Sequence, residues 1–340
     1  MSKIQIFDRG GFKLTEIVAD ADRSWLINEY GHCEFTLPVI DANCRKRFLQ
    51  FGNLILIEHP KLPKWGGVID VPRKWGNNLV TITAYTAEYL FKFRDTTYGG
   101  AQRTPGEIYR NTIRKINVSG DIRVKEGTIW DGGKANGTEV KRDNAYDFIK
   151  NELDKAEVEW CLIPQLDAGG RLYFDANLYE KLGDPKAYEL KEGVNIELNE
   201  DTLTEDGVIA NHIFGIGTGA TWNERPKYDA VDLTSENDYG WRDEKLKVEH
   251  NTVGKVEEES NKELNKRKNP EKNFDLSVLD YGLAWLNLAL GNELPVHLSV
   301  CGFNGDKLGT DAKIRIKGMA YLENKGVVRL ILDDKYDDTK

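Results

Sequence analysis

The chain has 340 residues, 40% hydrophobic and 30% charged, with 56 acidic against 47 basic side chains and a formal net charge of −9. That length holds two or three domains with a sizeable core. The acidic balance excludes phosphate-backbone binding as the main role, since such a surface repels nucleic acid and lets it pass. Met1-Ser-Lys-Ile-Gln-Ile-Phe7 has neither the apolar run nor the cleavage site of a signal peptide, and Leu283-Ala-Trp-Leu-Asn-Leu-Ala-Leu290 is too short to span a bilayer, so no stable membrane insertion is expected.

Residues 4–93 read as all-β, with strands expected near 4–7, 12–17, 24–29, 33–38, 53–58, 65–71 and 79–85. Cys33-Glu-Phe-Thr-Leu37 and Val80-Thr-Ile-Thr-Ala84 alternate polar and apolar side chains, so one face enters a core. Gly76-Asn-Asn78 between two such runs reads as a hairpin turn. Composition then shifts. Thr104-Pro-Gly-Glu107 has the form of a capping box and opens a helix carrying Ile108, Ile113 and Ile116. Residues 117–137 are Gly-rich and polar, a loop or hairpin. A second helix starts near Asn144 with Phe148, Ile149 and Leu153 inward, followed by a β-hairpin over Val158–Ile163 and Arg171–Asp175.

From about residue 188 the strand pattern returns, in Asn195-Ile-Glu-Leu-Asn199 and Ala210-Asn-His-Ile-Phe-Gly-Ile216, while 223–248 is polar and irregular. Val253 to Asn269 is dense in charge, with Glu258–Lys262 and Glu263–Arg267 at i,i+4, and reads as a solvated helix stopped by Pro270. Leu279, Leu283, Leu286 and Leu290 form an i, i+4, i+7, i+11 stripe that predicts a buried helical face. Strands at 294–303, 311–318 and 326–332 follow, including the alternating Lys313-Ile-Arg-Ile-Lys317. The fold class expected is α+β, mainly β. Two antiparallel β-barrel-like domains, 1–95 and 188–340, enclose an inserted α/β domain at 96–187, and a helical insertion lies near 253–291.

Nothing in this pattern carries a catalytic motif. Gly215-Ile-Gly-Thr-Gly219 resembles a phosphate loop, but Ala220-Thr-Trp-Asn-Glu-Arg-Pro226 follows it instead of a helix N-terminus, so a glycine-relaxed strand or turn is expected. His32, His59, His212, His250 and His297 stand singly, without metal-ligand spacing. With 56 Asp and Glu, a glycosidase-like pair has no specificity as a signal. Cys33, Cys44, Cys161 and Cys301 are scattered and read as reduced thiols of a protein made in the cytoplasm. Trp65, Trp160 and Trp285 lie in apolar patterns and are assigned to the core. Trp75, Trp130, Trp222 and Trp241 lie in polar stretches, where exposed aromatics mark protein contacts or sugar sites. No catalytic, cofactor-binding or metal-ligating residue and no cofactor is assigned.

The order of segments resembles that of the tail-tip, or baseplate hub, proteins of tailed phages. The resemblance is carried by Ser24-Trp25, Tyr30-Gly31, Phe35-Thr-Leu-Pro38, Leu54-Ile-Leu-Ile57, Trp65-Gly-Gly-Val-Ile69, Val80-Thr-Ile-Thr-Ala84 and Arg94. Later come the Trp160 strand, Gly170-Arg-Leu-Tyr-Phe174, Ala210–Gly217, Leu308–Ile316 and Val327–Ile331. Thr310 departs from the family's Asp after Leu-Gly, and the charged stretch 253–269 is long. The resemblance implies a structural, non-enzymatic virion protein of the tail tip, assembled in the host cytoplasm. It implies a homotrimer whose barrels form a pseudo-sixfold ring adapting a sixfold tube to a threefold tip and gating the DNA channel. Its implied partners are the distal tail protein, the tape-measure protein C-terminus and tail fibre or central tip proteins, with DNA passing through without specific binding. A carbohydrate-binding (receptor-binding) protein is the alternative, and a cell-wall hydrolase a weaker one.

Overall fold

A computed structural model describes residues 1–99, 102–118, 120–137, 140–304 and 307–332. The protein packs as two compact units, one built from Met1–Glu200 and the strands that follow Asp275, the other from Asp201–Phe274. It is mainly β with helices set among the sheets, the class expected.

The first unit opens with β1 (Ser2–Phe7), β2 (Lys13–Ala19), β3 (Ala21–Leu26), β4 (His32–Pro38), β5 (Leu54–Glu58), β6 (Trp65–Gly76) and β7 (Leu79–Thr86), matching the seven expected strands within a few residues. The alternation in β4 buries Cys33, Phe35 and Leu37. The β6–β7 turn places Asn77 and Asn78 at φ of 49° and 61°, the left-handed geometry that suits a two-residue hairpin. Gly67 in β6 is obligatory, because a Cβ there would sit 1.9 Å from the Tyr85 carbonyl oxygen.

A 3-10 helix, Ala87–Phe93, leads to two short pairings: β8 (Asp95–Tyr98) and β9 (Gln102–Arg103) meet strands further on. Helix α1 (Pro105–Val118) starts on the predicted capping box, with Thr104 N donating to Glu107 Oε2 at 2.9 Å and Glu107 N to Thr104 Oγ1 at 3.3 Å. Then come β10 (Val124–Ile129), β11 (Asn136–Gly137) and β12 (Val140–Asn144). Helix α2 (Ala145–Lys155) is capped by Asn144, which accepts from Tyr146 N. β13 (Glu159–Leu166) and β14 (Leu172–Tyr179) form the expected hairpin. The loop or hairpin expected over 117–137 is corrected: β10 pairs in parallel with β14, a distant partner that local turn chemistry cannot announce. Phe7, Leu54 and Val68 share one core with Ile108, Ile113, Trp160 and Phe174, so residues 1–95 and 96–187 pack around common side chains.

The chain continues through β15 (Leu190–Lys191) and β16 (Ile196–Asp206) into the second unit, where β17 (His212–Ile216), β18 (Lys227–Val231), α3 (Leu233–Tyr239), β19 (Asp243–Lys247) and α4 (Val253–Arg267) follow. Sheet order there is β18-β17-β19, with β17 antiparallel to β18 and parallel to β19. Helix α4 lays Val256, Ser260 and Leu264 on this sheet. Residues 223–248, expected to be irregular, thus supply two strands and a helix. They escaped notice because each strand is five residues long and β19 (Asp-Glu-Lys-Leu-Lys) has only one apolar member.

β20 (Glu271–Leu279), β21 (Glu293–Asn304), β22 (Lys307–Leu322) and β23 (Val327–Leu332) complete the first unit. The helical insertion expected near 253–291 ends at Arg267, and the Leu279–Leu290 stripe is not a helical face. Leu279 pairs with Val327 of β23, Gly282 takes φ of 59°, and only a 3-10 turn at Trp285–Asn287 remains. Leu283 and Leu286 are 59% and 57% exposed. A cross-strand ladder and a left-handed glycine outweigh the spacing of the leucines. The described strands of this unit join in one 13-stranded arrangement running β16-β20-β23-β22-β3-β4-β7-β6-β5-β1-β2, with β21 branching from β22 and β15 pairing with β21. β22 is 16 residues long and pairs with β21, β23 and β3.

Candidate functional site

The side chains weighed as chemical candidates separate in space. Gly215 and Gly217 lie under α4, where added Cβ atoms would meet Ser260 Oγ at 1.9 Å and the His250 carbonyl at 2.3 Å. Gly215 lies within β17, and both glycines allow close packing of their neighbours. His32 contacts Ser24 Oγ at 3.3 Å, and His297 Nδ1 lies 2.6 Å from Asp311. His59 sits between Trp285 and Tyr321, where burial lowers its pKa. His212 contacts Asp243 and Asp229 and packs on Trp241 at 4.6 Å. Among the described residues no group of three or more His, Cys, Asp or Glu is arranged to hold a metal ion. All four cysteines are free, and burial pushes the Cys33 and Cys161 thiols up to about 12, leaving them inert at neutral pH.

Trp65, Trp160 and Trp285 are 0%, 0% and 4% exposed, in the core as assigned. Of the other four, Trp130 packs partly buried against the core of the first unit. Trp75 is 64% exposed near the β6–β7 turn, where Val71, Leu79 and Ile40 are exposed as well. Trp222 and Trp241, both in the second unit, are half exposed. Lys227 lies over the Trp222 ring at 4.3 Å. β2 pairs only with β1 among the described residues, and its outer edge carries exposed Leu14 and Val18. An uncovered edge strand with apolar side chains is a contact surface or a liability.

The first unit holds a cavity of about 410 Å³ walled by β3, the start of β6, β13 and β22. Trp25, Leu26, Leu162, Pro164, Leu290 and Met319 make it apolar. Glu88 also lines it, delivered by the first turn of the 3-10 helix that follows β7. Burial pushes the Glu88 carboxyl up to about 7, while the neighbouring Thr86 hydroxyl and the backbone amides of Leu162 and Glu88 act in the opposite direction. Glu88 Oε1 accepts from Leu162 N at 2.7 Å, whereas Oε2 is buried without a hydrogen-bond partner of good geometry.

Glu88 therefore serves β13 directly. The outer edge of this strand is closed one residue at a time. Trp160 N donates to Asn28 Oδ1 at 2.8 Å, Asn28 N donates to the Trp160 carbonyl at 3.3 Å, and Leu162 N goes to Glu88. Pro164 has no N–H to offer. Asn28 can reach because it holds φ at 60°, a conformation Asn tolerates. Sequence reading missed Glu88, although a signal existed: it is the sole charge in Ala84-Tyr-Thr-Ala-Glu-Tyr-Leu-Phe91.

A mainly β body with helices set among its sheets is a fold that recurs in known structures. The chain shares its fold with tail proteins of prophages. The prophage tail protein gp18 of Listeria monocytogenes aligns with a TM-score of 0.58 and 15% identity over 98% of this chain and 95% of its own. The 43 kDa tail protein of prophage MuSo2 from Shewanella oneidensis gives 0.60 and 12% over 97% of each chain. A tail protein of Neisseria meningitidis gives 0.60 and 12% over 99% and 97%. At these identities the likeness is one of fold. No protein-family model and no curated protein sequence matches the chain.

Proposed function

We propose that this chain is a structural component of a phage-type tail and forms its hub at the tail tip. The observation that carries the reading is the sharing of a fold nearly end to end, 97–99% of this chain, with three prophage tail proteins. The edge of β2, unpaired with a second strand among the described residues, and the exposed apolar side chains beside the β6–β7 turn support an assembly role, since both suit a neighbouring chain. In this reading three copies close into a ring that adapts a sixfold tube to a threefold tip. The ring meets the distal tail protein, the tape-measure C-terminus and fibre or central tip proteins. Three chains carry a formal charge of three times −9, and an acidic lumen keeps passing DNA from adhering. The role is non-enzymatic. Mass in solution tests it: the expected particle is three times 38.6 kDa, with threefold symmetry in electron micrographs. A stable monomer over the micromolar range overturns it.

A second reading, a carbohydrate-binding protein, is favoured by the half-exposed Trp222 and Trp241 of the second unit. It predicts a monomer that binds glycans and loses binding on replacement of either indole.

A further inference from the structure

We infer that the Glu88 cavity receives a basic side chain from an apolar stretch of a partner polypeptide, its methylene stem against the apolar walls and its cation against the Glu88 carboxylate. A void alone suggests no ligand; the unpaired oxygen does. Leu162 N–H donates to Oε1 and the Thr86 hydroxyl neighbours the carboxyl, but Oε2 is buried without a hydrogen bond of good geometry. A buried acceptor left unsatisfied is costly, so an occupant that donates to it is favoured over one that does not.

The walls decide what else the occupant carries. Trp25, Leu162, Pro164 and Met319 suit a hydrocarbon stem. A neutral apolar group leaves Oε2 unmet, and an anion meets a second negative charge. A cation on an aliphatic stem satisfies both the walls and the oxygen. Among the described residues lining the cavity the cation is Lys64, and its Nζ pairs with Glu58 at 3.0 Å. Tyr109 on α1, Tyr146 on α2 and Cys161 on β13 interact with Glu88 and are all held neutral by burial, so none of them competes for the charge.

The rim favours a polypeptide over a free amine. Ile163 is 38% exposed, and Pro63, Leu182 and Ala289 are half-buried beside it, giving apolar seats for residues flanking the inserted one. Strand addition along β13 is blocked where Asn28 and Glu88 take the Trp160 and Leu162 amides and Pro164 has none. The partner thus enters by side chain, not by backbone ladder.

The test uses the full chain and three probes of one length: pentylamine, pentanol and pentanoate, titrated by NMR. Pentylamine is expected to bind best. Its affinity should rise roughly ninefold from pH 6 to pH 8, as a carboxyl titrating near 7 goes from about 10% to about 90% ionised. Glu88→Gln should weaken the amine at least tenfold and flatten the pH dependence, with circular dichroism unchanged. Ile163→Trp, on the rim, should block binding without touching the carboxyl. Equal binding of pentanol and pentylamine, indifference to Glu88→Gln, or no amine binding overturns the inference. A leucine-flanked lysine hexapeptide should bind at least tenfold tighter than pentylamine; equal affinity overturns the polypeptide part. Particle mass in the same samples reports separately on the trimer, so either reading can fail alone.

Discussion

Two buried glutamates of the first unit couple folding to pH with opposite signs. Glu88 has its carboxyl raised from 4.5 to about 7, chiefly by burial. A raised acid binds its proton more tightly when folded, so stability falls as pH rises from 4.5 to 7 and levels off above that; the full span is about 3 kcal/mol. Glu88→Gln should remove this decline in denaturant titrations taken between pH 4.5 and 8, and an unchanged slope would contradict the assigned burial. Glu323 behaves in reverse. Burial pushes its carboxyl up, but the amino terminus, the Ser2 hydroxyl, the Ala21 amide and Arg23 together hold it below 4.5. Its contribution is present above that pH and lost as acid protonates it. Arg23, with a fully buried side chain, contacts Glu323 at 3.4 Å and Ser2 Oγ at 3.1 Å. Glu323→Ala strands that guanidinium and should cost about 3–5 kcal/mol at pH 7, readable as a lower denaturation midpoint.

Among the elements, α1 offers the cleanest local test. Thr104→Ala removes one half of the capping box and should cost about 1 kcal/mol, with faster amide exchange confined to the first turn after Pro105. In the second unit, Gly215→Ala drives a methyl into Ser260 on α4 and should destabilise that unit by about 1–3 kcal/mol. Added Ser260→Gly should recover part of the loss, and proteolysis rates across 201–274 measure both. These elements also mark what was legible in the sequence. The capping box and the Asn77-Asn78 hairpin could be read because both are settled within four residues. The strands of 4–85 could be read because a period of two needs no distant partner to be visible. The β10–β14 pairing and the β17–β19 pairing could not, because each joins strands separated by intervening elements. The Leu279–Leu290 stripe misled for the same reason: the ladder to β23 that overrides it lies some fifty residues on. Glu88 stood out in an uncharged run, but its apolar cavity is assembled from six other stretches of the chain.

For the whole molecule, the assembly reading makes β2 decisive. Val18 is 63% exposed on that edge strand, and Val18→Lys adds a charge that a solvated strand tolerates and a covered one does not. The expected outcome in sedimentation is a shift from trimer to monomer without a lower monomer melting temperature; an unchanged trimer would move the interface elsewhere. The long strand β22 carries a different consequence. It pairs Met319 with Trp25 and Tyr321 with Arg23, joining strands far apart along the chain. On the ribosome, β3 therefore emerges with its outer edge bare and waits for all the elements up to β22 before its neighbour exists. Such long-range closure is slow and exposes sticky backbone meanwhile, so ribosomes stalled short of Lys307 should carry chains that chaperones hold and proteases cut.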